Sequence, residues 1–325
     1  MTQINFTQYP IRGIDVSQYN LANKKPLDFS KAKALGAHYV CIRSSYGIVT
    51  DSAFKSNWEG AKGILPRRAY HYLDYFSNHM SQYSVNGLPD AEWGKRQAQL
   101  VWSLIKDDND NSIVWLDIES PSFPPKVETV LSRVITIAVA FMAEIDRLTG
   151  KMNGVYISAG FISTFAKSLG KRPLWVAWYN EAQTADSVIN YAKSKGWTGK
   201  VWDWQYASDG DIEGDGIGDG IKMGMGGSIL DLNVCLLTEE EFNKSFTTGI
   251  VEPPVVEPPV TNEIKTMLVN TYALRVRNKP SLLGSIVEVM PEGTKVYILN
   301  EVTDSTGIVW ANIGYKQYCS KSYLK

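Results

Sequence analysis

Residues 112–119 read S-I-V-W-L-D-I-E, an apolar run that ends in two carboxylates one residue apart. Four consecutive apolar residues without polar alternation predict a strand covered on both faces, as in a parallel sheet flanked by helices. Successive strand side chains alternate faces, so Asp117 and Glu119 point the same way. Two acids held together at a partly dry site cannot both ionise easily; one keeps its proton while the other stays charged. That is the pair of states that hydrolysis of a glycosidic bond requires. A bare D-x-E also fits a strand end whose acids cap a neighbouring helix or pair with arginine.

Working outward, seven further strand-like runs centre on Ile14, Val40, Tyr70, Val155, Val176, Trp204 and Leu232, with helical patterns between most of them. Residues 127–150 carry Val130, Leu131, Val134, Ile137, Ala138, Phe141, Met142 and Ile145 at helical spacing, with Gly150 as a stop. A second helix is predicted over 91–106. A third opens at Thr238, where Glu241 three residues on completes a capping box. Eight strands with crossover helices predict an α/β chain folded as a (β/α)8-like barrel, with an open doubly wound sheet as the competitor.

The last connection breaks the rule. Between the seventh and eighth strands lies D-G-D-I-E-G-D-G-I-G-D-G-I-K-M-G-M-G-G, too rich in glycine for a crossover helix. Parallel neighbours need a long, usually helical crossover, so this layout allows strand eight to run antiparallel. Asp231, at its start, would then stand on the rim where the parallel strands end. The same segment holds Asp209, Asp211, Glu213, Asp215 and Asp219, but Gly220 occupies the twelfth position where a calcium loop needs glutamate. A solvated, mobile loop near the cleft is expected instead.

At 325 residues the chain exceeds the usual single domain. The 33 basic and 34 acidic residues give no electrostatic case for nucleic acid, and no run approaches the roughly 18 apolar residues of a membrane span. Cys41, Cys235 and Cys319 are scattered, so neither disulfides nor a zinc site is suggested, and no cofactor or metal is expected. Residues 247–263 contain E-P-P-V twice and predict a semi-rigid spacer between domains at 1–246 and 264–325. The second domain carries short alternating runs between the turns N-K-P, P-E-G and D-S-T-G, which predict a small all-β barrel. Its core candidates are Leu274, Val276, Ile286, Val289, Val296, Ile298, Trp310 and Ile313. Eight basic residues stand here against four acidic, so this end is cationic.

The motifs together resemble family 25 of the glycoside hydrolases, the Chalaropsis-type lysozymes of phage endolysins and bacterial autolysins. They are G-I-D-V-S-Q-Y at 13–19, C-I-R-S-S-Y-G at 41–47, R-A-Y-H-Y at 68–72, W-L-D-I-E at 115–119, W-V-A-W-Y at 175–179, W-Q-Y at 204–206 and D-L-N at 231–233. The resemblance implies N-acetylmuramidase action on peptidoglycan glycan strands. It carries the family's acids onto Asp15, Asp117, Glu119 and Asp231, with Glu119 as proton donor and Asp117 and Asp231 ionised. Net retention assisted by the substrate's acetamido group, oriented by Asp117, is what the resemblance suggests.

Sugar faces call for aromatic platforms, and the candidates are Tyr46, Tyr72, Tyr156, Trp175, Trp178, Tyr179, Trp204 and Tyr206. Tyr72, Trp178 and Tyr206 are chosen as sugar contacts. Arg43 is a substrate-binding candidate that reads more readily as a charge partner of Asp15 or Asp117. His71 has no nucleophile beside it and reads as a hydrogen-bonded barrel residue.

The second domain resembles a bacterial SH3 module through L-R-V-R-N-K-P-S at 274–281, P-E-G-T-K-V at 291–296, V-W-A-N-I at 309–313 and the final S-Y-L-K. That resemblance implies a hold on the peptide moiety of peptidoglycan, with no membrane insertion. The first ten residues lack a basic and apolar leader, so synthesis in a bacterial cytoplasm and release through a holin-type lesion is the expectation. Two other readings remain: a family 18-type chitinase or endo-N-acetylglucosaminidase, weakened by Trp115 where that family has a further aspartate, and a non-catalytic wall-binding protein.

Overall fold

The computed structural model describes residues 9–21, 26–75, 89–108, 111–119, 128–180, 183–247, 265–298, 300–314 and 317–325. The proposed spacer at 247–263 lies almost wholly outside them. The chain divides into two compact units, one of residues 1–76 and 94–254, the other of 77–93 and 255–325.

The first unit is a closed eight-stranded barrel. Its strands are β1 (Arg12–Val16), β2 (Tyr39–Tyr46), β4 (Arg67–Tyr72), β5 (Asn111–Ile118), β6 (Gly154–Ser158), β7 (Leu174–Ala177), β8 (Val201–Ala207) and β9 (Asp231–Cys235). A two-residue strand, β3 (Val49–Thr50), folds back on β2 as a hairpin. The helices between are α1 (Phe29–Ala34), α2 (Phe54–Ala61), α3 (Asp90–Ile105), α4 (Glu128–Thr149), α5 (Ile162–Leu169), α6 (Ala185–Ser194) and α7 (Glu239–Thr247). Neighbours from β1 through β2 and β4 to β8 are parallel. β9 closes the barrel antiparallel to both β8 and β1. The glycine-rich connection thus does what its composition allows, and all eight anticipated strands are present. The Thr238–Glu241 capping box forms, each residue bonding the other's backbone N–H.

The interior is packed by unequal partners. A Cβ on Gly13 would lie 2.3 Å from the Tyr39 ring, and one on Gly154 2.2 Å from Trp115. Each glycine makes room for the aromatic beside it. Trp115, Trp175, Tyr70, Tyr156 and Cys41 fill the middle of the barrel. At the end where the parallel strands begin, Arg68 Nη1 donates to Asp203 Oδ2 at 2.6 Å, and Tyr39 donates to Asp203 Oδ1 at 2.6 Å. Phe242 and Phe246 of α7 lie over the Arg68 guanidinium. His71 is buried, bonded to Ser45 Oγ and Gln97 Oε1 and stacked on Phe141, and burial draws it down to about 4.

The connection at 209–220 is exposed over residues 213–217 but tied down at its ends. Asp211 is buried and accepts the backbone N–H groups of Gly214, Asp215 and Gly216. Asp219 is buried too, accepts from Ile212 N–H and pairs with Lys222. Ile212, Met223 and Met225 are buried beneath it. The acids serve the turn itself, and among the described residues no cluster suits a metal ion.

The second unit is all-β over its described strands. They are β10 (Lys265–Leu268), β11 (Ala273–Arg277), β12 (Ile286–Pro291), β13 (Lys295–Ile298), β14 (Asn300–Thr303), β15 (Val309–Gly314) and β16 (Gln317–Ser320). They form a two-stranded sheet, β10-β13, and a five-stranded one ordered β12-β11-β16-β15-β14. The core holds Leu274, Val276, Val296, Ile298 and Ile313, with Val269, Ala311, Cys319 and Leu324, and Trp310 is buried. Ile286 and Val289, expected in the core, are 47% and 54% exposed. Leu274 faces inward opposite Met290, so β12 turns Val287 and Val289 out; the register shift at Arg277 carries Ile286 with them.

Candidate active site

Asp15, Asp117, Glu119 and Asp231 line one cavity of about 490 Å³ at the end of the barrel where the parallel strands finish. The antiparallel β9 is what makes this possible, since Asp231 begins its strand directly opposite Asp15 near the end of β1. Asp117 sits near the end of β5 and Glu119 just beyond it. Arg43 and Tyr72 line the same cavity, as do Tyr19, Tyr70, Tyr156, Trp175, Tyr179 and Gln205. A second cavity of about 530 Å³ shares Glu119, Tyr156 and Tyr179 and adds Trp178, Phe161 and Tyr191. Glu119 therefore belongs to both lobes.

Strand parity sorts the aromatic candidates. In β8 the inward position falls to Gln205, whereas Tyr206 lies edge-on to Trp204, is buried, and lines neither cavity. In the W-V-A-W-Y stretch, Trp175 and Tyr179 take the cavity side. Trp178 leans on Tyr191 of α6, ring centroids 4.5 Å apart, and meets the second lobe only. Arg43 differs as well: its Nε donates to Asp51 Oδ2 at 2.7 Å, so its ion-pair partner is neither Asp15 nor Asp117.

Asp15 is the best-served acid. Its Oδ2 accepts from Gln205 Nε2 at 2.9 Å and Asn233 Nδ2 at 2.7 Å. Trp175 Nε1 fixes Asn233 through Oδ1 at 2.8 Å, and the hydroxyls of Tyr156 and Tyr179 both donate to Gln205 Oε1. Gln205 and Asn233 were not singled out from the sequence. Their signal was the polar residue at period two, in D-W-Q and D-L-N, inside otherwise apolar strands.

All four carboxyls are pushed above their ordinary range. Burial is the main cause for each. Repulsion from Glu119 and Asp15 adds to Asp117, and repulsion from Asp15 and Glu119 adds to Asp231. Hydrogen bonds from Asn233 and Gln205 pull Asp15 back, while those with Tyr156 and Asp117 pull Glu119 back. Asp15 lies against Asp231 and Asp117 against Glu119, so within each pair the proton affinity of one carboxyl depends on the charge of the other. The two amide donors favour a charge on Asp15, while burial and the charge of Asp15 push Asp231 up to about 9.

Residues 14–215 match the family described as glycosyl hydrolases family 25. No curated protein sequence matches the chain. Among solved structures it is similar to a bacterial lysozyme from Streptomyces coelicolor, with TM-score 0.53 and 20% identity over 75% of this chain and 100% of that one. It is similar also to a family 25 glycosyl hydrolase from Bacillus anthracis, at 0.53 and 19% over 77% and 98%. The catalytic domain of an endolysin from bacteriophage P40 of Listeria monocytogenes aligns at 0.50 and 19% over 74% and 100%. At such identities these likenesses speak for the fold; the family match covers more than half of the sequence, and the chain belongs to glycosyl hydrolase family 25.

Proposed function

We propose that this glycoside hydrolase is a muramidase that cleaves the β-1,4 bond between N-acetylmuramic acid and N-acetylglucosamine in peptidoglycan. The observation that carries the reading is Glu119 at the junction of two lobes, with Asp15, Asp117 and Asp231 in one of them. A glycan lying across both lobes brings its linkage oxygen to Glu119. Asp117 accepts the N–H of the substrate's acetamido group. A hydrogen bond to the charged form favours that form, so binding favours a charged Asp117 beside a protonated Glu119. Glu119 then protonates the leaving oxygen as the acetamido carbonyl oxygen bonds to the anomeric carbon. Water opens the resulting ring, giving its proton back to Glu119. The Asp15–Asp231 pair, one negative charge in all, offsets the positive charge that grows at the anomeric carbon.

Arg43, Tyr72 and Trp178 are the proposed substrate contacts that the two cavities include; Tyr206 is withdrawn. The endolysin reading, with residues 264–325 as an SH3-like unit holding the peptide moiety at the cell wall, rests on the resemblance of its motifs and on its all-β make-up. Digestion of Gram-positive walls followed by mass analysis of the fragments tests the reaction. New reducing ends on muramic acid are expected; new reducing ends on glucosamine would mean the other glycosidic bond is the target. Glu119→Gln is expected to retain less than a few per cent of the activity while still sedimenting with walls.

A further inference from the structure

The acids of the site face a cation whose placement is set elsewhere. Arg43 lies on β2, its side chain is mostly buried, and it lines the cavity. Asp51, just after the β2–β3 hairpin, is completely buried. Its Oδ2 accepts from Arg43 Nε at 2.7 Å and from Gln18 N–H at 3.2 Å, and its Oδ1 accepts from Ala53 N–H at 2.9 Å. Gln18 is held in turn by Ser52, whose N–H and hydroxyl both donate to Gln18 Oε1. Gln18 belongs to the short turn Gln18–Asn20, from which Tyr19 and Asn20 line the cavity, and the Tyr19 ring lies 4.9 Å beneath the guanidinium. One carboxylate therefore ties together the hairpin, the turn after β1 and the arginine.

A second observation concerns what this leaves over. Arg43 Nη2 is buried without a hydrogen-bond partner, and so is Asp117 Oδ1. A donor and an acceptor of opposite charge stand orphaned in the wall of one cavity, a costly state that a purely structural pairing would not keep. We infer that Asp51 is a positioning residue, which by gripping Arg43 through Nε holds the unpartnered Nη2 in the cavity wall that Asp117 shares, so that the guanidinium charge favours an ionised Asp117 among three other acids. This rests on the reading of the site as hydrolytic, and it adds a residue outside the cavity to that machinery.

The groups that face Asp117 are Glu119 just past the end of its strand, Asp15 on β1, Arg43 on β2, Tyr70 and Tyr72 on β4, Tyr156 on β6 and Asp231 on β9. Arg43 is the cation among them. Its charge draws Asp117 down against the repulsion of Glu119, Asp15 and Asp231.

The test is a carboxyl ¹³C NMR titration of the full-length protein, with Asp117 assigned from the signal lost in Asp117→Asn, alongside the pH profile of kcat/KM on walls. In Asp51→Asn the Asp117 midpoint and the acidic limb are expected to move up by about one pH unit, the scale of a displaced opposite charge. Loss of the Asp51 charge acting only through space would move both down, and a role confined to folding would move neither; either result overturns the inference. Should Asp51→Asn not fold, Arg43→Lys serves, since it keeps the charge but not the planar fork with separate Nε and Nη2 donors, and the same upward shift is expected. An unmoved midpoint there overturns the inference too. Because the titration needs no substrate, a protein that failed to cleave walls would sink the muramidase reading and leave this result standing on its own.

Discussion

Asp15 and Asp231 are direct partners across the antiparallel pair of β1 and β9, two acids set opposite each other where like charges are ordinarily avoided. Nothing in barrel closure demands this. Gln205 and Asn233 supply Asp15 with donors, and burial beside Asp15 raises the proton affinity of Asp231. Chemistry is thereby placed ahead of stability at the seam of the barrel.

That ordering has a measurable sign. Asp231 is pushed up to about 9 by burial and by the charge of Asp15. An unfolded aspartate releases its proton near pH 4, so between there and the folded value the native state binds the extra proton. Stability from this group is full at low pH and falls as pH rises through that window. Asp231→Asn should stabilise the protein by about 1–2 kcal/mol at pH 8 and by much less at pH 4, while abolishing wall lysis. Urea unfolding at both pH values checks it; an equal effect at the two would show that the pair carries no such strain.

Gln205 links the tyrosines to the acids. Its carbonyl accepts from Tyr156 and Tyr179 and its amide donates to Asp15. Gln205→Leu should cut kcat by about 10- to 100-fold, because an oriented hydrogen-bond donor to a catalytic charge is lost. KM should change far less. A loss confined to KM would assign Gln205 to substrate binding instead.

Much of this arrangement was legible in the residues. Apolar runs of strand length gave the barrel, and glycine in the last connection excluded a crossover helix and so pointed to the reversed β9. The four acids were legible because each ends or begins a strand within a motif. Other features were not, for physical reasons. Tyr206 and Gln205 are neighbours, and a two-residue alternation cannot be phased without knowing which residue faces in. The exposure of Val289 on β12 depends on register with β11, set by pairing across some fifteen residues of sequence. Asp51 reaches Arg43 across a hairpin whose return strand has two residues, too short to leave a periodic signal.

Gly154 marks a place where size decides. A Cβ there would lie 2.2 Å from the Trp115 ring, far inside contact distance, and Trp115 is completely buried. Trp115 is wedged edge-on against Trp175 and Trp202 and has nowhere to retreat. Gly154→Ala should therefore destabilise the protein by about 2–3 kcal/mol, the range for overpacking a dense core. Pairing it with Trp115→Phe should restore part of the loss. A neutral Gly154→Ala would show that the barrel breathes more than its packing implies.

The Arg68–Asp203 pair at the other end of the barrel should respond oppositely to single and double changes. Both side chains are buried and 2.6 Å apart, and Tyr39 donates to the second carboxylate oxygen. Asp203→Ala leaves a guanidinium among Tyr39, Phe242 and Phe246 with no counter-charge. The expected loss is about 3–5 kcal/mol, dominated by the stranded charge and not by the missing attraction. Asp203→Leu with Arg68→Met removes both charges and should recover most of that, since an apolar pair of similar volume fits a dry interior at little cost. Denaturant midpoints of the three proteins decide it: if the double variant is as weak as the single one, the pair holds the barrel together by its geometry and charge alone is not the cause.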